Sequence, residues 1–470
     1  MFLELESVDA NKLAAVDDSG ERVTYGELRQ RADTFAAAIP PRSLVFLLSS
    51  NTVSSLVAYV GCLSHRIVPL ILSAKTDSAL VETLIKIYKP FAVFMNGVKV
   101  SGSGQEASGF GFIVPGSGEM RNEERGARNE YPKLHPDLAL LLPTSGSTGS
   151  PKLVRHSYRN IEANAENVKN LFGLTSDERA MAVLPMHYTM GLSVIASHLK
   201  AGATLILSGR SLLDAAFWKM LKDQRATSFT GVPYSYELLM KLRFTRMDLP
   251  DLKTITQGGG KLTPEMFAAL ADYAEKTGKR FIATYGQSEC TARMAYLPAE
   301  LALAKTCSIG FAEPGGQLSI VDEKGNETFE GEATGEMVYR GENVTLGYAT
   351  CVEDLAKGDE NHGVMHTGDL ARRDADGCYF IVGRLKRFLK IFGLRIGLDE
   401  IENLVKAEFA ADCVCSGTDQ MLVVTVARKG IGEEIIDFIE QKTRLFRKNI
   451  QVNEVDAITR NEAGKVILHG

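Results

Sequence analysis

No Cys-x-x-Cys pair occurs among the 470 residues, and the seven cysteines are scattered. Cys413 and Cys415 stand too close for a usual zinc knuckle, so no zinc module is expected. This usage points to a reduced, cytoplasmic compartment. Charge of one sign is also scarce. A formal net charge of -5 exerts no global pull on nucleic acid or an anionic membrane. Any anionic substrate must therefore be held by local groups. The apolar run 53–72 is interrupted by His65 and Arg66, which makes it a core helix and strand rather than a membrane span. Residues 1–9 carry acids and no basic segment, so no secretory signal is expected. No internal repeat is evident.

What remains is 45% apolar and 24% charged residues, ordinary for a globular protein large enough to bury sizeable cores. Strand-like runs at 43–49, 67–72 and 92–95 alternate with helical stretches at 53–64 and 79–88. The pattern continues through 180–184, 203–207, 228–230 and 281–284. It predicts an α/β fold with a largely parallel sheet. Residues 101–130 are rich in Gly, Ser and charge and read as an exposed insertion or β-turn region. From 318 to 382, short strands broken by Gly and Asp predict an antiparallel, barrel-like β unit. Beyond Lys386 the chain turns basic and then α/β on a smaller scale. The expected division is a large domain over 1–385 and a small α+β domain over 386–470.

The most informative stretch is Thr144-Ser145-Gly146-Ser147-Thr148-Gly149-Ser150-Pro151-Lys152. Glycines let successive N–H groups turn toward one anion, hydroxyls add rotatable donors, and Lys152 adds a mobile charge. The apolar run 138–143 precedes it, and a helix is expected from Ser157 onward. This is a phosphate-holding loop, but not a Walker loop, which needs Gly before the lysine and Ser or Thr after it.

Four more segments follow in order. Gln257-Gly258-Gly259-Gly260 exposes bare backbone on which a flat group can lie. Tyr285-Gly286-Gln287-Ser288-Glu289 follows a strand, placing an aromatic ring and a carboxylate where α/β sheets bind ligands. His366-Thr367-Gly368-Asp369 is followed by Ile381 and Gly383-Arg384, an acid and a base suited to sugar hydroxyls. Asp376-Gly377 between them reads as a hairpin turn. Last comes Ala463-Gly464-Lys465 near the chain end. Taken singly, each has a plainer explanation: a surface linker, a flexible turn, a core tyrosine, a solvated helix start, an exposed lysine.

Taken in order, from Thr24-Tyr25-Gly26-Glu27-Leu28 to Lys465, they resemble the adenylate-forming superfamily of acyl-CoA synthetases, peptide-synthetase adenylation domains and firefly luciferase. The acyl-CoA synthetases are the nearest branch. The resemblance implies a layered α/β domain with a small mobile lid. It implies an AMP-forming acid–thiol ligase that uses ATP and Mg2+, with CoA as acceptor. A carrier-protein phosphopantetheine is the alternative acceptor. Luciferase-like oxidation and a non-catalytic ATP-binding relative are the remoter readings.

By the same resemblance, residues 144–149 and Lys152 hold phosphates, and Thr148 and Glu289 hold Mg2+. Tyr285, Gly286, Gln287, Ser288 and Gly258–Gly260 would line the AMP pocket, with Ile381 on adenine and Asp369 and Arg384 on ribose. Lys465 bridges phosphate and carboxylate. Ser288 stands where the family usually has Thr, which keeps the hydroxyl. The acyl pocket would hold His187, Tyr188, Gly191, Val232, Tyr234, Gly259 and Gly310. Peptide-synthetase domains place an aspartate in the segment after Pro185; here 186–191 has none, which argues against an α-amino acid. His187 would orient the acid, or else pack as an ordinary histidine in an apolar turn. Lys386 falls at the hinge, with Lys390, Gly393 and Arg395 in the loop for the thioester step. The run 442–448 reads as a solvated helix face with Leu445 and Phe446 packed inward, or else as a docking patch for the acceptor.

Overall fold

The structure is a computed structural model that describes residues 2–95, 111–113, 132–143, 152–385, 387–391, 394–418, 420–443, 445–460 and 466. It divides into two compact units, Met1–Gln317 with Tyr339–Met365, and Leu318–Val338 with His366–Gly470.

The first unit is built on two large sheets. The nine-stranded sheet runs Phe311–Ala312, Ala295–Leu297, Arg280–Tyr285, Thr254–Gln257, Ser228–Gly231, Arg179–Ala182, Thr204–Leu207, Leu13–Asp17, Arg22–Thr24. Its middle is parallel, as βαβ crossovers require. The seven-stranded sheet runs Tyr348–Ala349, Leu153–Ser157, Leu138–Pro143, Val68–Ser73, Leu44–Ser49, Ala92–Met95, Gly111–Ile113. One continuous core takes Ala182 and Leu205 from the first sheet and Leu47 and Leu140 from the second. It also takes Leu28, Val57, Ala165 and Ile195 from four helices, Tyr25–Ala36, Val53–Ser64, Tyr158–Phe172 and Thr189–Lys200. Those helices therefore lie between the sheets. A second core covers the other face of the nine-stranded sheet, and a third that of the seven-stranded sheet. Strands covered on both faces have no polar side to show, which is why Leu44–Ser49 and Leu138–Pro143 read as unbroken apolar runs.

Local signals set the helix starts. Thr24 and Glu27 form a reciprocal capping box, with Thr24 N–H donating to the Glu27 carboxylate at 2.8 Å. Ser157 caps the helix Tyr158–Phe172 by accepting from Asn160 N–H, one residue after the expected start. Of the segment 101–130, only 111–113 lies within the described residues, and it forms an edge strand antiparallel to Ala92–Met95.

The second unit holds most of an antiparallel five-stranded sheet, Glu327–Thr328, Gly316–Val321, Ala333–Gly341, Val364–Arg373, Tyr379–Arg384. Gly377, with φ of 82°, closes the Asp374–Cys378 hairpin by donating to Asp374 O at 3.0 Å. Past this sheet, the pair Phe388–Ile391 and Leu394–Gly397 and a three-stranded sheet, Cys413–Thr418, Met421–Val426 and Ile450–Glu454, share a core with helices Leu398–Phe409 and Gly432–Thr443. Among the described residues, the buried members of that core run from Leu389 to Ile450. The contact division thus falls earlier than 385, while the segment beyond 386 has a core of its own. Phe446 differs from expectation. It is 63% exposed, and only Leu445 packs inward. Arg447 is occupied by Glu433 and Asp437. Among the described residues no helix is long and apolar enough to cross a membrane.

Candidate active site

Four neighbouring parallel strands end at one edge of the nine-stranded sheet. Gly231 lies in register with Gln257, and Gln257 with Ala283. Arg179–Ala182 is the next strand, joined to Ser228–Gly231. Their carboxyl ends lead into His187 and Tyr188, into Val232 and Tyr234, into Gly258–Gly260, and into Tyr285–Glu289. Open α/β sheets bind ligands at this edge.

Side chains close the gaps between these turns. A Cβ on Gly258 would lie 2.5 Å from Met190 Cε and 2.7 Å from Thr284 Oγ1. Gly259 has φ of 76°, and a Cβ there would meet Val232 at 3.2 Å. The glycine run is thus required by close packing as well as by conformation. Gln257 Nε2 donates to Gly260 O at 2.6 Å and fixes the turn. Gly286 is tighter still, since a Cβ there would sit 1.5 Å from Ala292 O. Thr189, at the start of its helix, donates to Ser288 Oγ at 2.9 Å and ties the Thr189–Lys200 helix to the Tyr285–Glu289 turn. Gln287 Nε2 donates to Tyr285 Oη at 3.1 Å.

His187 and Tyr188 meet edge to face, with ring centroids 5.2 Å apart, and both are half-buried. Gly191 sits in the first turn of the helix, where a Cβ would lie 2.2 Å from Pro185 O. Tyr234 is 42% exposed. Gly310 stands apart from these in its close contacts. A Cβ there would meet Tyr296 O at 2.0 Å, so its glycine is accounted for by backbone approach at the sheet edge.

Glu289 is half-buried and accepts from Tyr348 Oη at 2.7 Å through Oε1. The Lys152 ammonium sits 3.2 Å from the centroid of the same ring. Burial, and then the Glu289 charge, raise the Tyr348 phenol above its ordinary range, so it stays a donor. Tyr348 itself is held by Arg155, fully buried on Leu153–Ser157, which donates to the carbonyls of Tyr348 at 3.0 Å and Leu346 at 2.8 Å. Neither tyrosine nor arginine stood out in the sequence. Tyr348 lies in a plain Leu-Gly-Tyr segment nearly 200 residues from Lys152, and only the pairing of Tyr348–Ala349 with Leu153–Ser157 brings them together.

In the second unit, Asp369 is 3% exposed and Arg384 Nε lies 2.9 Å from its carboxylate, across a register that pairs the two residues. Ile381 is half-buried on the same strand. Lys390 and Arg395 are paired across the two-stranded sheet. Thr144, Ser145, Gly146, Ser147, Thr148, Gly149, Lys386, Gly393 and Lys465 lie outside the described residues. Among the described residues no three His, Cys, Asp or Glu side chains converge as a metal site. Glu289 supplies one carboxylate, which fits Mg2+ held mainly by substrate phosphates.

Residues 6–349 match the family model described as AMP-binding enzyme. Among curated relatives, the chain is 30% identical over 349 residues to an oxalate–CoA ligase of Arabidopsis thaliana, covering 71% of this chain and 66% of that one. It is 30% identical over 348 residues to an indoleacetate–CoA ligase of Aromatoleum aromaticum, covering 71% and 67%. The chain thus spans about two thirds of the length of these relatives. Its fold is similar to O-succinylbenzoate coenzyme A synthetase from Bacillus subtilis in complex with ATP and magnesium ion, with a TM-score of 0.77 at 18% identity, over 99% of this chain and 97% of that one. With a match over most of its length and the fold to go with it, the chain belongs to the AMP-binding enzyme family.

Proposed function

We propose that the chain activates a carboxylic acid with ATP, releases pyrophosphate, and passes the acyl group from its adenylate to the thiol of CoA. The observation that carries this reading is the convergence of the acyl-side turns and the Tyr285–Glu289 turn at the carboxyl ends of four adjacent parallel strands. Family membership supplies the reaction class, an AMP-forming acid–CoA ligase. The curated relatives are CoA ligases, which favours CoA over a carrier protein as acceptor.

Charge sets the chemistry. A carboxylate is a weak nucleophile and repels the phosphates it must attack. Lys465 and Lys152 lower that repulsion and hold the two anions in line, where their charge counts most as the new bond forms. Mg2+, when bound, would neutralise phosphate charge beside Glu289 and Thr148. Tyr348 keeps the Glu289 carboxylate oriented and Lys152 near it. Tyr285 offers its ring to the adenine, and Asp369 accepts from ribose hydroxyls. Residues 144–149 would hold the departing pyrophosphate through their hydroxyl and N–H donors. The adenylate hydrolyses if water reaches it, so the site must close around it. A turn about Lys386 then withdraws Lys465 and brings the Lys390–Arg395 hairpin to the thiol. The protein works in the cytoplasm on this reading, where CoA and ATP are at hand.

His187 against Tyr188, with no acid from Met186 to Gly191, favours an acid without an α-amino group. The test is ATP–pyrophosphate exchange over aliphatic, aryl and hydroxy acids, followed by thioester formation with CoA. Acid-dependent exchange and a CoA thioester are expected. ATP binding without exchange for any acid would leave a regulatory relative instead.

A further inference from the structure

A small cavity lies beside Thr291, two residues past Glu289. Tyr59, His156, Asn164, Thr189, Ser193 and Thr291 line it, with apolar residues between them. The space open to a water-sized sphere is about 10 Å3, which suits a single water. Tyr59 and His156 are fully buried and Asn164 is 2% exposed. Yet Tyr59 Oη, His156 Nε2 and Asn164 Nδ2 each have no partner among the described residues. Buried polar atoms are rarely left so, and three around one cavity point to a shared occupant.

The polarity of that occupant is fixed from two sides. Thr291 Oγ1 donates to Asn343 O at 2.8 Å, so it can only accept from His156 Nδ1, 3.2 Å away. His156 therefore carries its proton on Nδ1 and keeps a lone pair at Nε2. Burial holds the imidazole down to about 3, so it is neutral at any working pH. On the other wall, Arg293 donates to Ser193 Oγ at 2.6 Å, and Ser193 donates in turn to Asn164 Oδ1 at 2.7 Å. Asn164 is left with its NH2 unpartnered among the described residues. The walls thus offer one acceptor, one amide donor and one phenol. A cation would face the amide N–H, and an anion would face the imidazole lone pair. Water can accept from Asn164 and Tyr59 and donate to His156.

We propose that this cavity binds one water molecule, and that through it His156 is a positioning residue for the Glu289 turn. Thr291, the partner of His156, lies two residues beyond Glu289, and Thr291 and Ala292 hold left-handed φ of 50° and 88°. Such a conformation persists only where its surroundings enforce it. Thr189, on the same wall, bonds Ser288 on the other side of Glu289. The water thus completes a brace from Arg293 through Ser193, Asn164 and His156 to Thr291. Its consequence for catalysis rests on the assignment of Glu289 to MgATP made above.

Two measurements on the unaltered full chain decide the water. In 15N-histidine NMR, His156, assigned by the signal lost in His156→Asn, should stay neutral with its proton on Nδ1 across the range in which the enzyme is folded. A proton on Nε2 overturns the proposal. A high-resolution crystal structure should show one solvent peak within hydrogen-bond reach of the three atoms. A dry cavity, or a side chain swung across it, overturns the proposal as well. Kinetics decide the positioning. Tyr59→Phe removes one donor to the water and keeps the ring, and should raise the KM for MgATP in pyrophosphate exchange by about five- to tenfold, with the acid KM unchanged. His156→Asn, which can still donate to Thr291, should keep more activity than His156→Leu. Equal losses in those two, or an unchanged MgATP KM in Tyr59→Phe, overturn the positioning role. Absence of exchange in the unaltered enzyme would refute the adenylation reading, while the NMR and the density would still decide the water.

Discussion

Tyr348 Oη donates to Glu289 Oε1 at 2.7 Å, and the Lys152 ammonium lies over the same ring. One side chain therefore orients both the carboxylate expected to meet the metal and the lysine expected to meet the phosphates. Tyr348→Phe keeps the ring under Lys152 and removes only the hydrogen bond. Its kcat/KM for MgATP should fall by about tenfold, the lower end of the range for one hydrogen bond to a charged group. Glu289→Gln should fall by about a hundredfold or more, since it removes the charge itself. Steady-state exchange at saturating acid separates the two. Equal losses would mean that Tyr348 supports folding rather than Glu289.

Lys465→Ala should cut adenylation by about a hundredfold or more, because its charge meets both anions only near the transition state. Thioester formation from a pre-made acyl-adenylate should largely persist. Assaying the half-reactions apart provides the check, and a matching loss in both removes Lys465 from the first step.

Lys386→Pro tests the pivot. On one side Arg384 is paired with Asp369, and Leu385 N–H donates to Gly368 O at 2.8 Å. On the other, Arg387 donates to Glu402 at 2.6 Å and Cys415 O at 3.0 Å. Lys386 stands between Arg384 and Arg387 in the chain, and the proposed rotation would use its backbone. Proline fixes φ there. Adenylation should survive and transfer to CoA should drop steeply. Equal rates in the two steps would place the hinge elsewhere.

Glu313 gives a pH signature. It is 2% exposed, and its Oε1 accepts from Asn343 Nδ2 at 2.7 Å and lies 3.2 Å from Tyr339 Oη. Burial pushes its carboxyl from 4.5 up to about 8, against the pull of hydrogen bonds from Asn167 and Tyr339 and of the Arg293 charge. The folded protein then keeps a proton that the unfolded chain has already lost. Its contribution is fully present below the ordinary carboxylate pKa and is lost as pH rises toward 8. Stability should fall by up to about 1.4 kcal/mol per pH unit across that window. Urea titrations at several pH values measure it, and Glu313→Gln should flatten the slope. An unchanged slope would mean that Glu313 is ionised in the folded state.

Much of this was legible in the residues. The strand at 138–143 and the helix at 53–64 were readable to the residue, because elements covered on both faces leave continuous apolar runs. The turns at Gly258 and Tyr285 were legible because glycine, hydroxyl and acid stand at close spacing. Tyr348, Arg155 and His156 were not. Each acts on a partner far along the chain, Glu289 from 59 residues away and Thr291 from 135, and a buried Arg or His carries no local pattern. Phe446 was misread for the converse reason. The sequence shows two adjacent apolar residues, and just past the end of helix Gly432–Thr443 only Leu445 turns into the core.

Arg155 has a consequence for motion. The strand Tyr348–Ala349 that carries the tyrosine is two residues long and sits at a sheet edge, where pairs of that length ordinarily fray. Here fraying would pull a guanidinium, sealed from solvent, off the carbonyls of Leu346, Tyr348 and Lys357. The edge should therefore open only with the core behind it. In hydrogen exchange, the backbone amide of Leu346, which donates to Arg155 O, should be as slow as those of Leu138–Pro143 despite its place beside the rim.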